Sequence, residues 1–123
     1  MTRLTILLFI IALFIGCQKD DSPEELQEEL NRRKQSILGL IASATCNDSG
    51  CAYIGFGAKP CGGPLDYLLY PISMDTVELQ TMVMDYNRLN RELNQKKGSI
   101  SDCAFLSPPD TVYCMESSCV DQI

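Results

Sequence analysis

Seven cysteines, at positions 17, 46, 51, 61, 103, 114 and 119, are the residues of this 123-residue chain best suited to do chemistry. Cys17 follows an apolar run, while the other six spread over the rest of the chain. An even set of six in a small domain reads as three disulfides of an exported protein, and their spacing does not choose among the pairings. The chain has no histidine. A mixed cysteine–histidine zinc site is thereby excluded, and oxidised cysteines leave no thiolates for an all-cysteine one. Neither an imidazole base nor a free thiol is on offer for nucleophilic catalysis. The expectation is a protein that is not an enzyme and needs no cofactor and no metal.

The second candidate is the stretch FGAKPCGGP, residues 56–64. It lacks the Lys-Ser/Thr pair opening a helix that a phosphate-binding Walker loop requires. With two prolines and a disulfide at Cys61 it reads instead as a braced loop, which binds partners with little entropic loss. Lys59, Pro60, Gly62 and Gly63 are its candidate binding residues. The partner expected is an envelope or extracellular protein. The alternative is inhibition of an extracellular protease through the Lys59–Cys61 loop, although Pro60 directly after Lys59 disfavours substrate-like binding. Glu24, Glu25, Glu28 and Glu29 suggest a cation site only by number, since they surround a helix and no calcium-loop pattern occurs. Met82 and Met84 lie about 200° apart on a helix and are no ligand pair.

These residues need elements to hold them. Ser22-Pro23-Glu24-Glu25 combines a cap, a proline at the first helical position and a capping box, predicting a helix over 22–42. Leu26, Leu30, Ile37 and Ile41 share its apolar face. Glu28–Arg32 and Glu29–Arg33 have the favourable i,i+4 order. The face is thin before Ile37, so the first half reads as a charged stalk and the second half as docked. Ala52, Ile54 and Phe56 alternate with Cys51, Tyr53 and Gly55, as in a strand, and DYLLY supplies an antiparallel return.

Asp75 to Glu78 caps a second helix that Gly98 ends, with Leu79, Val83, Tyr86, Asn90 and Leu93 in a stripe widened by Met82 and Leu89. SDCAFL reads as a strand. TVYCM and SCVDQ form a hairpin about Glu116-Ser117, which sets Met115 opposite Ser118 and Cys114 opposite Cys119. A non-hydrogen-bonded pair approaches to about 4.5 Å between Cα atoms, close enough for a Cys114–Cys119 disulfide. The fold class expected is α+β: two helices packed on a small antiparallel sheet, stapled by disulfides.

The chain starts Met-Thr-Arg and continues through twelve residues, Leu4–Ile15, without a charge. That is too short to span a bilayer, which takes about 20 apolar residues, and fits the core of a secretory signal. It ends Phe14-Ile15-Gly16-Cys17. Gly16-Cys17 resembles the lipobox of bacterial lipoproteins, in which the cysteine is acylated and the preceding peptide removed, while Phe14 stands where that family usually has Leu. The resemblance implies a signal peptide over 1–16, lipid on Cys17 and a bilayer as partner. Gln18-Lys19-Asp20-Asp21 is similar to the surface-export signal of Bacteroidota lipoproteins, implying an outer-membrane address with exposure at the cell surface.

From Cys46 onward, YIGFGAKPCGGPLDYLLY, DYNRLN, SDCAFLSPP and the last two cysteines resemble small cysteine-rich lipoproteins of Bacteroidota that carry no assigned activity. Asp75-Thr76-Val77 and Asp110-Thr111-Val112 resemble the short O-glycan acceptor of the same bacteria, which implies glycans on Thr76 and Thr111.

The organisation is then a signal peptide (1–16), a short tether (17–21) and one domain (22–123) made of the N-terminal helix (22–42) and a disulfide-rich core (46–121). The four residues from Gln18 to Asp21 reach at most about 14 Å. The acids at 20, 21, 24, 25, 28 and 29 would repel an anionic surface, so helix 22–42 is expected to lift the core off the headgroups. A net charge of −6 makes nucleic acid an unsuitable partner.

Overall fold

The structure is a computed structural model that describes residues 21–122. Cys17 and the apolar run before it lie outside the described residues. The elements follow in the order α1 (Pro23–Ala42), β1 (Cys51–Phe56), β2 (Asp66–Pro71), α2 (Thr76–Lys97), β3 (Val112–Met115) and β4 (Ser118–Asp121). The domain is a small α+β fold, with two antiparallel helices against two small antiparallel sheets and three disulfides.

The helices begin and end where their caps require. Ser22 Oγ accepts the Glu25 N–H and the Glu25 carboxylate accepts the Ser22 N–H, completing the capping box of α1. Asp75 accepts the Glu78 N–H at the start of α2. Gly98, in the left-handed region with φ 58°, ends α2 and donates to the Asn94 and Gln95 carbonyls.

Two apolar clusters join the helices. Ile37 packs with Leu79, Val83, Phe56 and Tyr70, while Leu26 and Leu30 pack with Leu89 and Leu93. The pairing of early α1 with late α2 fixes the helices as antiparallel. It also overturns the stalk expectation, because Leu26 and Leu30 are each only 2 % exposed. Two leucines suffice for the first half of α1 because α2 brings two more to the same place. At the edge of the helix–helix seam, Arg32 pairs with Glu29 rather than Glu28, and Arg33 Nε meets the same carboxylate at 2.6 Å.

β1 and β2 pair antiparallel from Cys51↔Pro71 to Phe56↔Asp66. Ala52, Ile54, Phe56, Leu68 and Tyr70 turn one face of this sheet to the helices. β3 and β4 form a separate two-stranded sheet that packs β3 against β1 and β4 against β2. Its register has Cys114 opposite Cys119 and Met115 opposite Ser118, as the sequence predicts. Glu116 (φ 48°) and Ser117 (φ 66°) both adopt positive φ, the twist that a two-residue hairpin turn demands even without Gly or Asn.

The Cys114–Cys119 disulfide does not form. Cys114 bonds Cys46 and Cys119 bonds Cys51, with Cα separations of 5.7 and 5.8 Å. Cross-strand cysteines share one sheet face, and here that face meets Cys46 and Cys51 on either side of the Asn47–Gly50 turn. Both therefore reach across to the other sheet instead of to each other.

SDCAFL is not a strand. Its backbone is satisfied by side chains: Ser101 Oγ accepts the Cys103 N–H and Asp102 Oδ1 accepts the Ala104 N–H. Lys59 Nζ and the Tyr67 hydroxyl donate to the Ala104 and Leu106 carbonyls. Cys103 sits at φ 56°, which no ladder tolerates.

Candidate functional site

The loop from Gly57 to Leu65 joins β1 to β2 and carries the four candidate binding residues. It begins at a position only glycine can fill: Gly57 has φ +77°, and an added Cβ would lie 2.8 Å from the Leu65 side chain. Lys59 and Gly63 close the loop on itself, the Lys59 N–H donating to the Gly63 carbonyl and the Gly62 N–H to the Lys59 carbonyl, each at 3.0 Å.

Three asparagines of α2 hold the loop from below. Asn87 accepts the Gly57 N–H at 2.7 Å and donates to the Gly55 carbonyl at 3.0 Å. Asn90 accepts the Ala58 N–H at 2.8 Å, and Asn94 donates to the Ala58 carbonyl at 2.7 Å. Their 3- and 4-residue spacing puts all three on one helical face. The sequence reading missed this clamp because it placed Asn90 in the apolar stripe. The available signal was the spacing Asn87, Asn90, Asn94 opposite a loop rich in glycine, whose bare backbone needs partners. Among the described residues, no buried side-chain nitrogen or oxygen lacks a hydrogen-bond partner.

A second brace comes from the 99–109 segment. Cys61 is bonded to Cys103, and Lys59 Nζ donates to the Ala104 carbonyl at 2.5 Å. Lys59 is thus half-buried and engaged, whereas Pro60, Cys61, Gly62 and Gly63 are exposed. Two open notches flank the loop. One, of about 280 Å³, lies between Lys59, Gly62, Arg91, Asn94 and Gly98. The other, of about 370 Å³, lies between Gly57, Gly63, Tyr67, Asn87 and Arg91. Between them the notches are lined by loop backbone, the Arg91 guanidinium, the Lys59 ammonium and the polar side chains of Tyr67, Asn87, Asn94 and Gln95.

The remaining sequence candidates disperse. Thr76 is the half-buried first residue of α2, and Thr111 is exposed just before β3. Met82 packs on the main cluster while Met84 faces solvent. The sulfurs of Cys46, Cys51 and Cys119 lie within 4.8 Å of one another, a thiolate-like grouping, yet each is held in a disulfide and offers no thiolate to a metal. Tyr86 stacks on Phe56 at 4.2 Å, and burial pushes its phenol above the usual tyrosine range. Among the described residues, no helix is long and apolar enough to cross a membrane.

No family model, curated protein or solved structure matches the chain.

Proposed function

We propose that this protein is a lipid-anchored component of the bacterial cell envelope, held by acylated Cys17, with a binding or structural role rather than a catalytic one. The observation that carries the reading is the Gly16-Cys17 junction after a charge-free run, in a chain whose other six cysteines are all paired. Three intrachain disulfides suit an oxidising compartment. They also leave Cys17 as the one cysteine with a task of its own. The absence of histidine and the engagement of the other thiols support a non-catalytic role. The braced 59–63 loop is the binding element of this reading, and its partner is an envelope protein.

Fractionation of cells carrying Cys17→Ser tests the proposal. The variant should leave the membrane fraction while keeping its three disulfides. A variant that still sediments with membranes contradicts the anchor.

A further inference from the structure

The docking of α1 along its whole length fixes which end of the domain faces the anchor. Lys96 Nζ donates to the Asp21 carbonyl at 2.7 Å, and Lys97 Nζ to Gln27 Oε1 at 3.4 Å. The chain therefore enters the domain beside the last turn of α2. Cys17 is separated from Ser22 by only four residues, about 14 Å at full extension. With no stalk, the end holding the C-terminus of α2 must lie next to the bilayer in which Cys17 is inserted. Cys46, Cys114 and Cys119 lie near the other end of α1, roughly 30 Å away along its axis.

That anchor-proximal end carries two large apolar side chains with no place in the core. Ile100, two residues past the Gly98 cap, is 95 % exposed, and Phe105 is 84 % exposed. Phe105 is not on a loose end. Phe105 lies between the Ala104 carbonyl, which accepts from Lys59, and the Leu106 carbonyl, which accepts from Tyr67 at 3.4 Å, two residues after the Cys61–Cys103 bond. The backbone on both sides of the ring is held, and the ring itself is presented to solvent. Charges at this end lean acidic: Lys59, Arg91, Lys96 and Lys97 against Asp21, Glu24, Glu25, Glu28, Glu92 and Asp102. The excess of acid disfavours an anionic surface but not a zwitterionic one, and there the apolar pair decides.

We propose that Ile100 and Phe105 insert at the interfacial level of the bilayer that holds Cys17, so that this end of the domain rests on the membrane. The inference builds on the lipid-anchor reading. Apolar side chains seated among headgroups and upper acyl chains add a second contact to the acyl one. The domain then takes one orientation, with the β3–β4 hairpin facing away from the bilayer and the 59–63 loop approachable only from the side. A partner at that loop is one that also lies along the membrane.

The chain contains no tryptophan, so single reporters can be placed at will. Phe105→Trp, Ile100→Trp and Met115→Trp, each in the full lipidated protein, are reconstituted into phosphatidylcholine vesicles containing a brominated phosphatidylcholine. Reporters at 100 and 105 should show blue-shifted emission and strong bromine quenching, while the reporter at 115 should show neither. Added salt should leave the quenching unchanged. Vesicle-bound protein whose three reporters are quenched equally, or whose quenching at 100 and 105 vanishes in salt, overturns the inference but not the anchor. Protein that fails to float with the vesicles overturns both.

Discussion

Asn90 Oδ1 accepts the backbone N–H of Ala58 at 2.8 Å, joining α2 to the loop across 32 residues of sequence. Asn90 and Ala58 are both buried, so the bond is made in a setting where neither partner has water as an alternative. Replacing it by Ala strands the Ala58 donor. Asn90→Ala should lower the unfolding free energy by about 1–3 kcal/mol. Urea unfolding of the two proteins checks this, and unchanged stability would mean that the clamp is dispensable.

Leu30 ties the first half of α1 to Leu89 and Leu93. Leu30→Ala should cost about 2–5 kcal/mol, the range for a leucine removed from a packed site. Hydrogen exchange gives an independent check: residues 24–34 should be protected comparably to residues 79–93. Much faster exchange over 24–34 would restore the stalk.

The adjacent disulfides predict a specific rearrangement. Cys51→Ser releases the Cys119 thiol within 4.8 Å of the Cys46 sulfur and directly across the strand pair from Cys114. Above neutral pH its thiolate should attack the Cys46–Cys114 bond. Attack at Cys46 gives Cys46–Cys119 and frees Cys114; attack at Cys114 gives Cys114–Cys119 and frees Cys46. Peptide mapping without reductant should find a product pair beside the native one. Retention of Cys46–Cys114 alone, after prolonged incubation at alkaline pH, would contradict the proximity.

Tyr86 supplies a pH dependence. Its folded pKa is raised by desolvation, so the folded state holds the proton more tightly than the unfolded one. The stability linked to that proton is complete below the unfolded value near 10.0 and is lost as pH rises through the higher folded value. Phenolate absorbance should therefore show one tyrosine ionising late, and Tyr86→Phe should abolish that late step. Persistence of the step in the variant would assign it to another residue.

The helices, the β1–β2 pair and the hairpin register were legible because each is set by local pattern: caps, a 3.6-residue stripe, strict alternation, a two-residue turn. What lay beyond reading depends on residues far apart in the chain. Leu26 and Leu30 form too thin a stripe to predict burial alone, and only the late turns of α2 complete it. Cys114 and Cys119 were placed in register correctly, yet nothing local says that Cys46 and Cys51 cover their shared face. Ala104-Phe105-Leu106 has the apolar character of a strand, but Lys59, Tyr67 and Asp102 claim its backbone. The Asn87–Asn90–Asn94 clamp is written in plain helical spacing and becomes meaningful only when the glycine loop is known to lie above it.

Intact-mass and N-terminal peptide analysis of the protein purified from native membranes tests the anchor most directly. The mature chain should begin at Cys17, carry a diacylglycerol thioether on that sulfur with an acyl group on its amine, and show no alkylatable thiol among the other six cysteines. A chain that begins elsewhere, or a Cys17 that alkylates as a free thiol, would contradict the account.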